Sequence, residues 1–449
     1  MMKRLQRGFL LLLCMLLVGC APSVPESAPG HEDQAEILNP TQESPSSEPL
    51  VLLVDIPDNI ERYMQAFTER TSMEIELAEG TNAAYEQMLT DFAAGKCTYD
   101  VVSVANSLGT LYTMDTLAAQ GYFYPLDGQP HVQESLAHML PVLQDLVTID
   151  GIPYALPFIV RFKVLDYNAQ LYEAVETGRL SIYNRNAAVP VTESQAEQLP
   201  PERAFATWEE LLESGYLSEE DGSYAYNAIL EQCILDVGQE DFSFDSPEFV
   251  HALELMKAFY TLSGSANDPM GAVWLQINTG AFWTEGWLQD LSTPKEELTV
   301  TLQCNDFYPV PTLDGQGRIP MAYWALAVNA FTDQKEAALR FLDTAAEIGW
   351  NGVADEENPI GYVYKYGMPE TAACYTDEEH LAVSAGLDPE NQARWREMQA
   401  NLVPITDAGF LTSFNLELFP QYLDGAITAE QCAAMTQERY RMYKLEQGE

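Results

Sequence analysis

The sequence predicts an α/β protein of two lobes. Three observations carry the prediction: apolar runs alternate with helical stripes from Leu50 to Val104, a glycine- and proline-broken segment at 150–158 resumes directly as a strand, and the second half is dominated by capped helical stripes. The size fits: 449 residues at 47% hydrophobic content are enough for two cores.

The elements follow in order. Val51 to Val54 is a short continuous apolar run, suited to a parallel strand buried on both faces, and Asp55-Ile56-Pro57-Asp58 turns the chain. Ile60, Tyr63, Met64 and Phe67 have helical spacing, and Met73 to Leu77 alternates as a strand does. Tyr85, Met88, Leu89 and Phe92 mark a second helix, and Tyr99 to Val104 a third strand, completing a βαβαβ unit. Ligands of such open sheets gather beyond the carboxyl ends of the strands, a rim that here includes Pro57, Asn59, Ser103, Asn106 and Ser107. Asn59 and Ser107 fit equally well as helix caps.

Asp150 to Phe158 reads as a passage between lobes, and Lys163 to Asn168 as the strand beyond it. Ser181 to Pro201 is polar and weakly periodic, a loop or insertion. Ser246 with Pro247 starts a helix bearing Phe249, Leu253, Met256 and Tyr260 on one face. Asp333 with Glu336, and Thr428 with Gln431, are capping-box signatures.

Charge and termini restrict the function. With 22 Lys+Arg against 68 Asp+Glu the formal charge is -46, so the surface repels phosphate backbones and anionic lipid headgroups; nucleic acid is not an expected partner. Lys3, Arg4 and Arg7 precede an apolar stretch from Phe9 to Val18 that is too short to span a bilayer, which reads as an export signal over residues 1–19. Residues 21–49 hold six prolines, five serines and no Lys or Arg, the composition of a tether with an extended reach of at most on the order of 90 Å. Cys97, Cys233, Cys304, Cys374 and Cys432 are odd in number and lack CxxC spacing, so buried free thiols are expected. The five histidines show no metal-ligand spacing and no GxSxG, HExxH, GxGxxG or Walker motif is present, so the reading is a non-enzyme with neither metal nor cofactor.

Several phrases resemble known proteins. Leu17-Val18-Gly19-Cys20 resembles the lipobox of bacterial lipoproteins, in which the cysteine becomes the diacylated N-terminus. Tyr99-Asp100-Val101-Val102, Gly151 to Phe158, Asp166-Tyr167-Asn168, Thr207 to Leu212, Gly280-Ala281-Phe282-Trp283 through Trp287, Ala322 to Val328 and the helix at Lys335 to Phe341 stand in the order seen in bacterial extracellular solute-binding proteins of family 1, which feed ABC importers. The chain differs in carrying larger aromatics at Phe282-Trp283 and at Tyr323, which would narrow a cleft.

The resemblance implies a two-lobed periplasmic-binding-protein-like α/β fold with a hinged cleft between the lobes. The expected organisation is a signal peptide, lipidated Cys20 with a tether to residue 49, a first lobe of 50–157 plus about 272–312, and a second of 158–271 plus about 313–449. The expected activity is delivery of a small solute, a sugar or oligosaccharide, to an ABC permease by a monomer anchored through lipid on the outer face of the cell membrane.

Sugars pack a ring face on aromatic side chains while their hydroxyls meet carboxylates and amides. Candidate platforms are therefore Phe158, Trp283, Trp287, Tyr323 and Trp324, with Glu285, Asn106 and Asn59 as hydrogen-bond partners. Trp287 and Trp324 fit equally well as core residues. Arg161, just beyond the crossover, suits either an anionic ligand or a neighbouring acid. A lipid-anchored glycoside-acting enzyme and a surface ligand sensor stand as the alternatives.

Overall fold

Strand β1 (Leu50–Val54) forms where the sequence offers five consecutive apolar residues, and all but Val51 are fully buried in the computed structural model. The residues described are 48–55, 60–105, 114–168, 181–184, 187–190, 203–214, 217, 219–236, 242–262, 275–279, 305–313, 315, 317–351, 369–385, 388–405, 410–411 and 414–447. Helix α1 (Glu61–Thr71) buries Tyr63 and Phe67, and β2 (Ile75–Glu79) returns parallel to β1. Helix α2 (Asn82–Ala93), capped by Thr81, leads to β3 (Val101–Ala105), parallel on the other side of β1. The expected βαβαβ unit is formed.

Helices α3 (Met114–Ala119), α4 (Pro130–His138) and α5 (Pro141–Val147) and the small hairpin of β4 (Thr148–Ile149) and β5 (Ile152–Pro153) precede β6 (Leu156–Asn168), a strand of 13 residues. The polar stretch read as a loop contains a second hairpin, β7 (Ser181–Asn184) with β8 (Ala187–Pro190). Then come α6 (Trp208–Ser214), α7 (Glu219–Asp236), α8 (Pro247–Tyr260), β9 (Leu275–Thr279), β10 (Asn305–Pro309) and β11 (Ile319–Val328). The chain ends with α9 (Lys335–Asn351), α10 (Pro369–Ala372), α11 (Glu378–Ala385), α12 (Pro389–Ala400), β12 (Leu402–Pro404), a π-helical turn at Phe414–Leu418, α13 (Phe419–Leu423) and α14 (Ala429–Gln447).

One sheet runs through the molecule in the order β10-β6-β11-β3-β1-β2, with β12 beside β11 and β9 beside β6. Two hydrophobic cores pack on it. The first takes residues from Leu50 to Val164, with Phe307, Ile319 to Val328, the inner face of α9, and residues up to Leu402. The second takes Leu165, Tyr167, the inner faces of α6 to α8, Ile277, Val310, and residues from Ile405 to Tyr440. Their boundary is crossed at Val164/Leu165, around Phe307 to Val310, between Val310 and Ile319, and between Leu402 and Ile405.

Ile277 and Val310 belong to the second core, residues 158–164 and 319–402 contribute to the first, and among the described residues the segment from Ile405 onward returns to the second. β11 pairs antiparallel with both β6 and β3 and is thereby the centre of the first core.

Local chemistry at the helix ends was more legible. Ser246 accepts from the Phe249 N–H, and Thr428 and Gln431 exchange reciprocal hydrogen bonds of 2.9 and 3.2 Å, a complete capping box. Asp333 makes no such box with Glu336; Thr332 Oγ1 takes the Gln334 N–H instead. Cys97, Cys233, Cys374 and Cys432 stand outside any disulfide, all but Cys97 buried; Cys304 lies outside the described residues.

Candidate functional site

Three parallel strands end side by side, and their carboxyl ends bring four polar features together. Asp55 is the first residue past β1. Its N–H donates to Ser103 Oγ of β3 at 3.3 Å, and that hydroxyl also hydrogen bonds Tyr85 Oη of α2 at 2.9 Å. Gly80 closes β2, giving its N–H to the Val54 carbonyl at 2.9 Å. A Cβ at residue 80 would lie 2.2 Å from Asp55 Oδ1 and 2.9 Å from the Asp55 backbone, so only glycine lets the carboxyl occupy this place.

Trp324 comes to the same rim from β11, opposite Ala105 on one side and Ile159 on the other. The register of β11 against β6 shifts between Trp324 and Ala325. Such irregularities re-aim a side chain at the edge of a site. The Arg161 guanidinium lies over the indole, 5.2 Å from its centroid, within cation–π range.

The electrostatics are unbalanced. Burial pushes the Asp55 carboxyl up from the usual carboxylate range; the Tyr85 and Trp324 side chains act the other way without cancelling it. Among the described residues no cation pairs with Asp55. Tyr85 is pushed up as well, first by burial and then by the charge of Asp55. The Trp324 indole faces the carboxyl closely enough to favour its ionised form, yet its Nε1–H makes no hydrogen bond of normal geometry, although the residue is only 8% exposed. A buried donor without a partner beside a carboxyl without a cation is an arrangement that gains from a ligand.

Of the residues expected at the site, Trp324 lies beside Asp55 and, like Tyr323, is a member of the first core, 8% exposed. Phe158 is 1% exposed inside the first core, where its carbonyl accepts from Thr371 Oγ1 at 2.7 Å. Tyr323 is buried in the same core opposite Val160. Asn59, Asn106, Trp283, Glu285, Trp287 and Cys20 lie outside the described residues. Asp55, Gly80 and Tyr85 were not singled out as ligand groups. The available signal was positional: the first acid after a buried strand, and a glycine at the end of its neighbour. Among the described residues no group of three His, Cys, Asp or Glu is placed to hold a metal ion, and no helix is long and apolar enough to cross a membrane.

Known structures share this architecture at low identity. A solute-binding protein of an ABC transporter from Thermotoga lettingae, bound with alpha-D-tagatose, aligns with a TM-score of 0.56 at 17% identity over 88% of this chain and 100% of its own. The maltose-bound MalE3 of T. maritima gives 0.56 at 16%, covering 88% and 99%. A solute-binding protein of Agrobacterium vitis with bound D-mannitol gives 0.57 at 16%, covering 88% and 98%. At such identities the likeness shows the fold, that of periplasmic sugar-binding proteins. No curated protein matches. The sequence profile described as "Bacterial extracellular solute-binding protein" matches residues 54–350, and the chain belongs to that family.

Proposed function

We propose that the chain captures a neutral sugar or oligosaccharide outside the cell and delivers it, unchanged, to the permease of an ABC importer, while anchored in the membrane through lipid on Cys20. The observation that carries the reading is the rim at Asp55 and Trp324 on one of two separately packed cores joined by crossing strands. A solute that bonds to this rim and to the opposite lobe stabilises the closed arrangement, and closure is what a permease recognises. The tagatose, maltose and mannitol bound by three structural neighbours support a polyol as the solute.

Thermal shift against a panel of neutral saccharides and alditols tests it. At about 100 times its dissociation constant a cognate ligand stabilises by ~2.7 kcal/mol. No shift with any neutral polyol, or hydrolysis of a bound glycoside, removes the proposal. For the anchor, Cys20→Ala releases the protein from the membrane fraction if the thiol is the lipid site; retention there would show a different attachment.

A further inference from the structure

We propose that Asp55 and Trp324 form a subsite that reads a single hydroxyl of the ligand, which donates to the Asp55 carboxylate and accepts from the Trp324 indole N–H. The inference rests on the reading of this chain as a polyol-capturing protein and adds which ligand group the rim selects.

The selection follows from donor and acceptor counting. Asp55 offers acceptors only when ionised, and Trp324 Nε1 offers a donor only. A hydroxyl is both, so one atom completes the pair. An ammonium group satisfies the carboxylate but leaves the indole N–H unpaired and brings a second cation near the Arg161 guanidinium, which lies over the same ring. A carboxylate or phosphate accepts from the indole but meets the Asp55 charge. The geometry is fixed from behind: Ser103 Oγ holds the Asp55 N–H, Tyr85 Oη holds Ser103, and Gly80 leaves room for Oδ1 and for nothing larger. The register shift beside Trp324 puts the extra residue, Phe158, on the neighbouring strand β6.

The subsite is sensitive to pH. Facing Asp55 are Tyr85 from α2, Ser103 from β3 and Trp324 from β11, with Glu79 at the end of β2 and Arg161 of β6 across the indole. A hydroxyl donating to an ionised carboxylate makes the stronger, charge-assisted bond. Affinity is therefore full above the raised Asp55 pKa and falls as pH drops through it.

Calorimetric titration of the full chain, D55N and W324F with neutral mono- to tetrasaccharides, alditols, polyamines and uronates at pH 7.5 and 4.0 decides it. Wild type is expected to bind at least one of the neutral polyols, more weakly at the lower pH. D55N loses about 10- to 100-fold in affinity and the pH dependence with it, the range for a hydrogen bond to a charged group. W324F, which keeps a ring but no donor, loses several-fold while its pH dependence persists. Binding by D55N within twofold of wild type at both pH values overturns the subsite and leaves the polyol reading intact. Unchanged affinity in W324F does the same should D55N not fold. Wild type that takes up polyamines or uronates but no neutral polyol overturns both.

Discussion

Gln232→Leu is the perturbation whose cost is most directly worked from the structure. Gln232 of α7 is 3% exposed and serves three groups: its Oε1 accepts from Trp208 Nε1 at 3.1 Å and from the Leu313 N–H at 3.1 Å, and its Nε2 donates to the Pro311 carbonyl at 2.8 Å. Leucine fills a similar volume, so the cavity contribution is small. What remains is three stranded polar groups. Leu313 is half-buried and water can replace its partner, whereas Trp208 and Pro311 are buried. At about 1 to 3 kcal/mol for each of the two buried unpaired groups, the loss is about 2 to 6 kcal/mol. Urea unfolding followed by near-UV circular dichroism measures it. A double-mutant cycle with Trp208→Phe isolates one bond, since deleting both of its partners costs less than the two single deletions summed. Residues 311–313 also lie where the chain passes from the second core to the first, so Gln232→Leu should change ligand affinity without touching the ligand. A loss below about 0.5 kcal/mol, the level of an ordinary surface substitution, would refute the accounting.

Four further outcomes are expected. Gly80→Ala forces a methyl against the Asp55 backbone, so both melting temperature and ligand affinity fall, by about 1 to 3 kcal/mol in stability; a neutral result would mean the β2 end relaxes freely. Thr428→Ala removes one half of the capping box of α14 and costs about 0.5 to 2 kcal/mol, to be read as loss of amide protection in its first turn. Burial acts to raise the Asp377 carboxyl, but the His380 side chain 2.5 Å away and the backbone N–H groups hold it below the usual range. The pair thus stabilises the fold above the ordinary carboxylate pKa, and this is lost as pH falls through the depressed value; Asp377→Asn should flatten the acid limb of melting temperature against pH. Asp55 has the opposite sign. Its raised pKa makes protonation favour the ligand-free fold, so stability relative to D55N should rise as pH falls while ligand affinity falls, and parallel movement of the two would contradict its placement.

How much could be read in advance depended on the range of the interaction. β1 was legible because five consecutive apolar residues closed by a turn suit a strand buried on both faces, and caps were legible because Ser246 and Thr428 act on residues three positions away. Asp333 failed as a cap for an equally local reason: Thr332 Oγ1 was closer to the first free N–H, while its hydroxyl donates to Asp100. The partition of the cores was not legible, since nothing within Ile319–Val328 states that its partners are β3 and β6, more than 150 residues upstream. Part of the aromatic assignment was recoverable by parity. Residues 160, 162 and 164 share one face of β6, and Phe162 packs on Trp395 in the interior, 5.1 Å between rings. Tyr323 lies opposite Val160 and so shares that face; Trp324, opposite Ile159, shares the other with Arg161. Phe158 falls at the register shift, where alternation no longer assigns a face.

The polar groups deep in this protein are, for the most part, fully engaged. Asp100 accepts from the Val51 N–H, Thr332 and Gln334; Asn391 accepts from the Phe307 N–H and donates to the Ala385 carbonyl; Gln232 serves three partners. Trp395 also carries an unpaired indole N–H, but it is wholly buried between Phe162 and Phe307, where no solute reaches. Among the described residues, an uncompensated carboxyl, an orphan donor, an obligatory glycine and a shifted register coincide only at the end of β1. Local inconsistencies of this kind cost stability and persist where something outside the fold resolves them. Besides the shared sheet, two largely buried ion pairs join the cores: Lys163 of β6 with Glu231 at 3.2 Å, and Arg318 ahead of β11 with Asp236 at 2.5 Å, both acids on α7. Ion pairs of that sort contribute little net stability against their desolvation and act mainly on register. On the proposed reading, a solute at Asp55 and Trp324 supplies the missing partners on one core, and its differential contacts with the other core decide how far the population shifts.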